Sequence, residues 1–160
     1  MFARALPIIL RHEGGWVHDS RDPGGETNKG ITKRVAEAHG YHEDMKTIPM
    51  SVVEDIYRRS YWNKILGDEL PWPVALVTFD AAVNSGVRRA SEWLQKTVQV
   101  QADGVIGQET LRAVEDFNPD QIARLYTDTR LAFLKSLKTY ATFGRGWERR
   151  VRETLAEALS

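Results

Sequence analysis

The chain has 160 residues, 42% of them hydrophobic and 28% charged, and its 22 basic and 22 acidic side chains cancel to a formal net charge of zero. That length suits one domain with a real core, while the charge balance argues against a broadly basic nucleic-acid binder. With no cysteine, a disulfide framework and thiol chemistry are excluded. No apolar run approaches the length of a membrane span, so stable membrane insertion is not expected. No basic segment followed by an apolar stretch and a small-residue cleavage site is visible at the N-terminus, so no ordinary signal peptide is expected.

Taken in chain order, Phe2, Ala5, Leu6, Ile9 and Leu10 recur at helical spacing. Glu13 follows Ile9 by four and Leu10 by three, which predicts that it shares their apolar face. A carboxyl there is expected to lose hydration, which favours its protonated form and suits a general acid. Gly14 and Gly15 are expected to stop the helix through a left-handed cap. The acid then stands at a helix end beside a loop. From Gly14 to Gly30 there are five glycines, one proline and almost no apolar residue. Long ordered loops of this kind are often functional. Gly24 and Gly25 suggest a tight turn with positive φ, and any extended structure belongs here as a short hairpin. The loop carries the carboxyls of Asp19, Asp22 and Glu26 and the hydroxyl of Thr27, with Thr32 just beyond.

The remainder predicts helices. Ser51-Val52-Val53-Glu54 has the form of a capping box, followed by Val53, Ile56, Tyr57, Ser60 and Tyr61 on one face. Pro73 opens a nearly all-apolar run from Val74 to Val83, expected to be a buried central helix. Asn84 and Ser85 end it with groups able to donate and accept hydrogen bonds to acetamido and hydroxyl groups. They also suit a helix C-cap with Gly86 in the left-handed position. Ala90, Trp93, Leu94, Thr97 and Val98 define another amphipathic helix. Asp103-Gly104-Val105-Ile106-Gly107 predicts a structured turn leading into a short helix with Leu111 and Val114 inward. Asn118-Pro119 starts a long helix carrying Ile122 through Leu137 and Tyr140. A last helix follows Gly146, with Trp147, Val151, Leu155 and Leu159. Of five tryptophans, Trp93 fits a core stripe, while Trp16 stands in the polar loop where its ring is placed to stack on a sugar. Arg145, Arg149, Arg150 and Arg152 suit a solvated helix face or contact with anionic groups. His12, His18, His39 and His42 form no recognisable zinc spacing.

Several blocks together resemble a known family. Glu13-Gly14-Gly15-Trp16, Asp22-Pro23-Gly24-Gly25-Glu26-Thr27 and Gly30-Ile31-Thr32 look like the N-terminal signature of the glycoside hydrolase family 108 muramidases. These are phage endolysins and bacterial secretion-linked muramidases. The similarity continues in Asp80-Ala81-Ala82-Val83-Asn84-Ser85-Gly86, in Leu94-Gln95, in Asp103 to Thr110 and in Phe143 to Val151. Trp16 is a departure, since tyrosine is commoner at that place, but it keeps an aromatic ring. The resemblance implies an all-α, lysozyme-like, two-lobed architecture with a possible small hairpin in the catalytic loop. It implies one domain over 1–160, with the catalytic motifs in 1–86 and a helical part resembling a peptidoglycan-binding region over about 87–160.

By the same resemblance Glu13 is the catalytic acid. Phage-type lysozymes use Glu, Asp and Thr in that order, which Glu13, Asp22 and Thr27 match. Asp19 and Glu26 compete with Asp22 for the second carboxyl, and Thr32 with Thr27. Trp16, Asn84 and Ser85 are candidate substrate contacts. The implied activity is an N-acetylmuramidase cleaving the β-1,4 bond between N-acetylmuramic acid and N-acetylglucosamine, with no metal or other cofactor. Its partner is bacterial peptidoglycan, and a monomer is expected. A lytic transglycosylase would also need the glutamate. A non-catalytic wall-binding or secretion-accessory protein is the remaining alternative. The expected setting is synthesis in a bacterial cytoplasm and action on the wall after release through a holin-type or other route.

Overall fold

A computed structural model describes residues 1–21 and 25–160. The expectations for Asp22 as a carboxyl of the site and for a turn at Gly24 lie outside the described residues. The chain is mainly helical and lysozyme-like, with eight α-helices and a small three-stranded sheet among the described residues. It divides into two compact units, Phe2–Ser60 and Tyr61–Ser160, the latter with Met1.

The first unit opens with α1 (Phe2–Leu10), which buries Phe2, Ala5, Leu6, Ile8 and Ile9. The helix ends at Leu10 rather than at Glu13. The N–H groups of His12 and Glu13 bond back to Ile9 and Leu10 at 3.0 and 3.2 Å, the i→i−3 pattern that tightens a final turn. The expected left-handed cap does not form, because neither Gly14 nor Gly15 has positive φ. Strands β1 (Val17–His18), β2 (Glu26–Asn28) and β3 (Ile31–Thr32) make an antiparallel meander, one strand more than the expected hairpin. Val17 faces Thr27, Thr27 faces Thr32, and Asn28 faces Ile31. Lys29 and Gly30, at φ 50° and 76°, form the two-residue connection between β2 and β3. Positive φ at both positions matches the twist of the flanking strands. Asn28 is buried and donates to the Met45 carbonyl at 2.8 Å, which pins β2 to the short turn at Met45–Thr47.

Helix α2 (Lys33–Ala38) starts at Thr32, whose hydroxyl accepts from Val35 N–H at 3.2 Å. Helix α3 (Met50–Tyr57) begins without the expected capping box. Its N-cap is Pro49, which has no side-chain cap bond, and Ser51 is already inside the first turn. The Pro49 carbonyl takes the N–H groups of Val52 and Val53 instead.

The second unit is built on α4 (Trp72–Ser85), in which Val74 through Ala82 are all buried. Fully burying side chains such as Leu76 and Phe79 contributes roughly 1.5–3 kcal/mol each, so this helix is the core against which α5 (Val87–Thr97), α7 (Pro119–Ser136) and α8 (Tyr140–Ala158) pack. Asp80 is the exception in its apolar surroundings. Arg130 of α7 and Arg150 of α8 both donate to it, the latter through Nε at 2.9 Å. Burial pushes the Asp80 carboxyl up, but the two guanidinium groups outweigh it and hold it below the usual carboxylate range. Gly86 closes α4 and opens α5. Its φ of 91° is positive as expected, but its ψ of 148° is extended rather than left-handed, a combination open to glycine almost alone.

Past α5, Gln95 holds the Asp103–Gly107 turn. Its amide nitrogen donates to Asp103 Oδ1, the Val105 carbonyl and Thr110 Oγ1 at 2.8, 3.0 and 3.2 Å, while its oxygen accepts from Gly104 N–H at 2.9 Å. Helix α6 (Gln108–Glu115) follows. Helix α7 starts at the Asn118 cap, as its Asn-Pro sequence predicts, with Oδ1 accepting from Gln121 N–H. It stops at Ser136, so Tyr140 belongs to α8 rather than to α7. Helix α8 therefore begins earlier than Gly146 and takes both glycines into its interior. The Tyr140 ring lies where a Cβ on Gly144 would stand, and the Tyr140 hydroxyl donates to Glu148 at 2.7 Å. These contacts extend the helix through a sequence that is locally poor for it.

Candidate functional site

Glu13 is half-buried in the turn that follows α1. Its surroundings are set by the β2–β3 connection. A Cβ built on Gly30 would stand 2.8 Å from Glu13 Oε2 and 2.6 Å from the Tyr57 hydroxyl. Only a residue without a side chain leaves room for both groups, and its φ of 76° independently demands glycine. Tyr57 is buried, and its hydroxyl donates to the Lys29 carbonyl at 2.7 Å. Lys29 N–H in turn donates to the Gly14 carbonyl at 3.0 Å. The turn at Lys29–Gly30 is thereby tied to the residue after Glu13 on one side and to α3 on the other. These ties fix where the carboxyl can lie.

Tyr57 and Gly30 were legible in sequence only as a helix-face aromatic and a motif glycine. The available signal was physical: a buried tyrosine hydroxyl requires a partner, and the partner is the backbone of this turn.

The other acidic groups differ in their occupation. Asp19 Oδ1 accepts from Arg21 N–H and Nε at 2.9 and 3.0 Å, and Oδ2 accepts from Arg21 Nη2 at 2.9 Å. The side-chain and backbone hydrogen bonds from Arg21 hold the Asp19 carboxyl below its ordinary range. Its oxygens are already committed to a neighbour two residues away. Glu26 is half-buried at the start of β2, opposite His18.

The two threonines also separate. Thr32 spends its hydroxyl on the cap of α2. Thr27 is half-buried at the centre of the meander, between Val17 and Thr32. Asn28 points into the unit, so its neighbour Thr27 faces the opposite side of the sheet. Trp16 is 39% exposed, with Lys46 Nζ 4.4 Å from the centre of its ring and His18 edge-on.

Asn84 and Ser85 lie in the second unit, at the end of α4. Asn84 is exposed and Ser85 half-buried. The Asn84 Oδ1 accepts from Arg130 Nη2 at 3.0 Å, the same guanidinium that neutralises Asp80. The Asn84 oxygen is thus oriented from beneath, and its amide N–H groups are the part presented outward.

Three comparisons bear on this arrangement. The family model for glycosyl hydrolase 108 matches residues 6–86, which include Glu13, Gly30 and Tyr57. A second model, a predicted peptidoglycan domain, matches residues 89–152. Among solved structures, that of Brucella abortus SagA is 45% identical in sequence with a TM-score of 0.87, over 99% of this chain and 93% of that one. Comparison with curated proteins gives no match.

Proposed function

The chain belongs to the glycosyl hydrolase 108 family and is a peptidoglycan-directed glycoside hydrolase, and from that premise we propose that it is an N-acetylmuramidase of the endolysin type. It cleaves the β-1,4 bond between N-acetylmuramic acid and N-acetylglucosamine. The observation that carries this reading is the seat of Glu13, a half-buried carboxyl held against a bare Gly30 within the family-matched segment.

Protonated Glu13 donates to the glycosidic oxygen as the bond to the muramic C1 breaks. The sugar develops oxocarbenium character, which an ionised Asp22 stabilises directly or through an activated water. Thr27 orients that water or the Asp22 carboxylate. Asp19 is the weaker candidate because Arg21 occupies its oxygens. Trp16 offers a ring to the glycan, and Asn84 and Ser85 offer amide and hydroxyl groups. The anomer first released reports the separation of the two carboxyls, about 5–5.5 Å for retention and about 6.5–9.5 Å for inversion. The enzyme acts as a monomer on the wall, after release across the inner membrane by a holin-type or other route.

The test is digestion of purified peptidoglycan by the wild type and by Glu13→Gln, with fragment ends identified by reduction and mass spectrometry. Reducing N-acetylmuramic acid ends from the wild type alone are expected. Anhydro ends would replace this reading with lytic transglycosylation. Release of fragments by Glu13→Gln at the wild-type rate would remove Glu13 from the chemistry.

A further inference from the structure

Lys46 approaches Trp16 from the turn at Met45–Thr47 and sets its ammonium over the exposed indole, 4.4 Å from the ring centre. The two ends of this lysine are held differently. At its base, Lys46 N–H donates to Asp44 Oδ1 at 2.9 Å. Asn28, buried in β2, fixes the same turn by donating to the Met45 carbonyl at 2.8 Å. The side chain above this anchored backbone is exposed. Among the described residues no carboxylate forms an ion pair with its ammonium. Asp44 spends Oδ1 on the Lys46 backbone rather than on the charge. Arg21, a cation of the neighbouring loop, is already taken by Asp19 at 2.9 Å. Lys46 therefore brings an uncompensated positive charge to an indole that has accessible surface. A cation–π contact at an exposed site is weak, whereas an ammonium–carboxylate hydrogen bond is charge-assisted and stronger. A carboxylate arriving at the ring draws the ammonium to itself.

We propose that Lys46 is a specificity-determining residue, whose ammonium pairs with a carboxylate carried by the sugar chain that stacks on Trp16. The proposal rests on the muramidase reading above and adds a group that tells an acidic amino-sugar polymer from a neutral one. A neutral N-acetylglucosamine polymer satisfies the indole through the apolar face of a pyranose but leaves the charge without a partner. A carboxylate-bearing glycan satisfies both. Such carboxylates have two sources in the wall, the lactyl group where no peptide is attached and the stem peptide where one is. Lys46 acts on binding and takes no part in breaking the glycosidic bond.

The test compares the full chain with its Lys46→Met and Lys46→Arg variants, by initial rates of fragment release from soluble glycan strands. The strands are used in three forms: bearing stem peptides, stripped of peptides by an amidase, and with their carboxylates converted to neutral amides. On strands that keep their carboxylates, Lys46→Met should raise KM by about 3- to 10-fold, with a smaller change in kcat. Lys46→Arg should restore most of the loss, since it keeps the charge. Added salt should raise the wild-type KM towards that of Lys46→Met. On amidated strands the wild type and Lys46→Met should have the same KM. An effect on peptide-free strands assigns the lactyl carboxylate, and an effect confined to peptide-bearing strands assigns the stem peptide. An equal KM for wild type and Lys46→Met on both charged forms overturns the proposal and leaves the muramidase reading intact. A rise in KM that is as large on amidated strands also overturns it, because Lys46 would then only support the indole. A wild type that releases no fragments overturns the muramidase reading and this proposal with it.

Discussion

Gly30→Ala perturbs the candidate site at a single point. The added methyl would stand 2.8 Å from Glu13 Oε2 and 2.6 Å from the Tyr57 hydroxyl, about 0.6 and 0.8 Å inside ordinary van der Waals contact. The hydroxyl is tied to the Lys29 carbonyl, so relieving the clash must shift the carboxyl, the ring or the turn that positions both. Two costs then separate. Positive φ strains any L-residue by about 1–2 kcal/mol, and overpacking adds about 1–3 kcal/mol. Gly40 supplies the control: its φ is 89° and nothing lies within 4 Å of its Cβ position. Gly40→Ala should lose only the backbone component, roughly 2–8 °C in melting temperature for a chain of this size, with turnover near wild type. Gly30→Ala should lose more stability and about 100-fold in turnover, the scale expected when a catalytic group moves by a fraction of an ångström to one ångström. Thermal denaturation and the initial rate of release of reducing ends from peptidoglycan measure the two effects. Wild-type turnover in Gly30→Ala, or an equal loss in Gly40→Ala, would refute the claim that the bare turn sets the acid.

Other outcomes follow from the same geometry. Thr32→Ala should cost about 1 kcal/mol through the lost cap of α2 and keep its activity, whereas Thr27→Ala should lose turnover with little change in melting temperature; the opposite pattern in the two assays would exchange their roles. Asp22→Asn should reduce peptidoglycan turnover far more than Asp19→Asn, and the reverse order would reassign the second carboxyl. Asp80→Asn leaves two buried or nearly buried guanidinium groups facing a neutral amide and should cost about 3–5 kcal/mol, read as a fall in melting temperature at neutral pH. Because the folded Asp80 carboxyl is held below its ordinary value of 3.8, its contribution is present above that value and is lost as pH falls through the lower folded one. Wild-type melting temperature should therefore drop in that acidic window, and the Asn variant should lack this part of the acid limb; parallel curves would refute the assignment.

The parts legible in the sequence are those where local chemistry and tertiary packing agree. Val74 to Ala82 could only be a buried helix, and Asn118-Pro119 could only begin one well. The errors arise where a packing or backbone contact overrides the signal of a single residue type. Gly144 and Gly146 argue for a helix start after them, but the Tyr140 ring and its bond to Glu148 carry the helix through. Ser51 has the spacing of a cap, yet Pro49 cannot itself continue a helix backward and its carbonyl satisfies the first free N–H groups. At the candidate site the motif exposes Glu13 and the glycines. It does not expose Tyr57, whose hydroxyl reaches the turn from 28 residues away. The committed oxygens of Asp19 follow from a local bond to Arg21, which the pattern of residue types alone does not specify.

Gln95 has a consequence for how the protein ages. Its amide nitrogen is surrounded by three acceptors, one of them a carboxylate oxygen. Hydrolysis of that amide would replace a donor by a second carboxylate facing Asp103 in a site that is 1% exposed. The new carboxylate would keep the Gly104 N–H but would face Asp103 Oδ1 and the Val105 carbonyl with no proton to give either. Water reaches the amide freely only when this turn opens, so deamidation is tied to the opening rate rather than to storage time alone. Each molecule converted while open would find the native turn harder to re-form, making a transient fluctuation a permanent lesion.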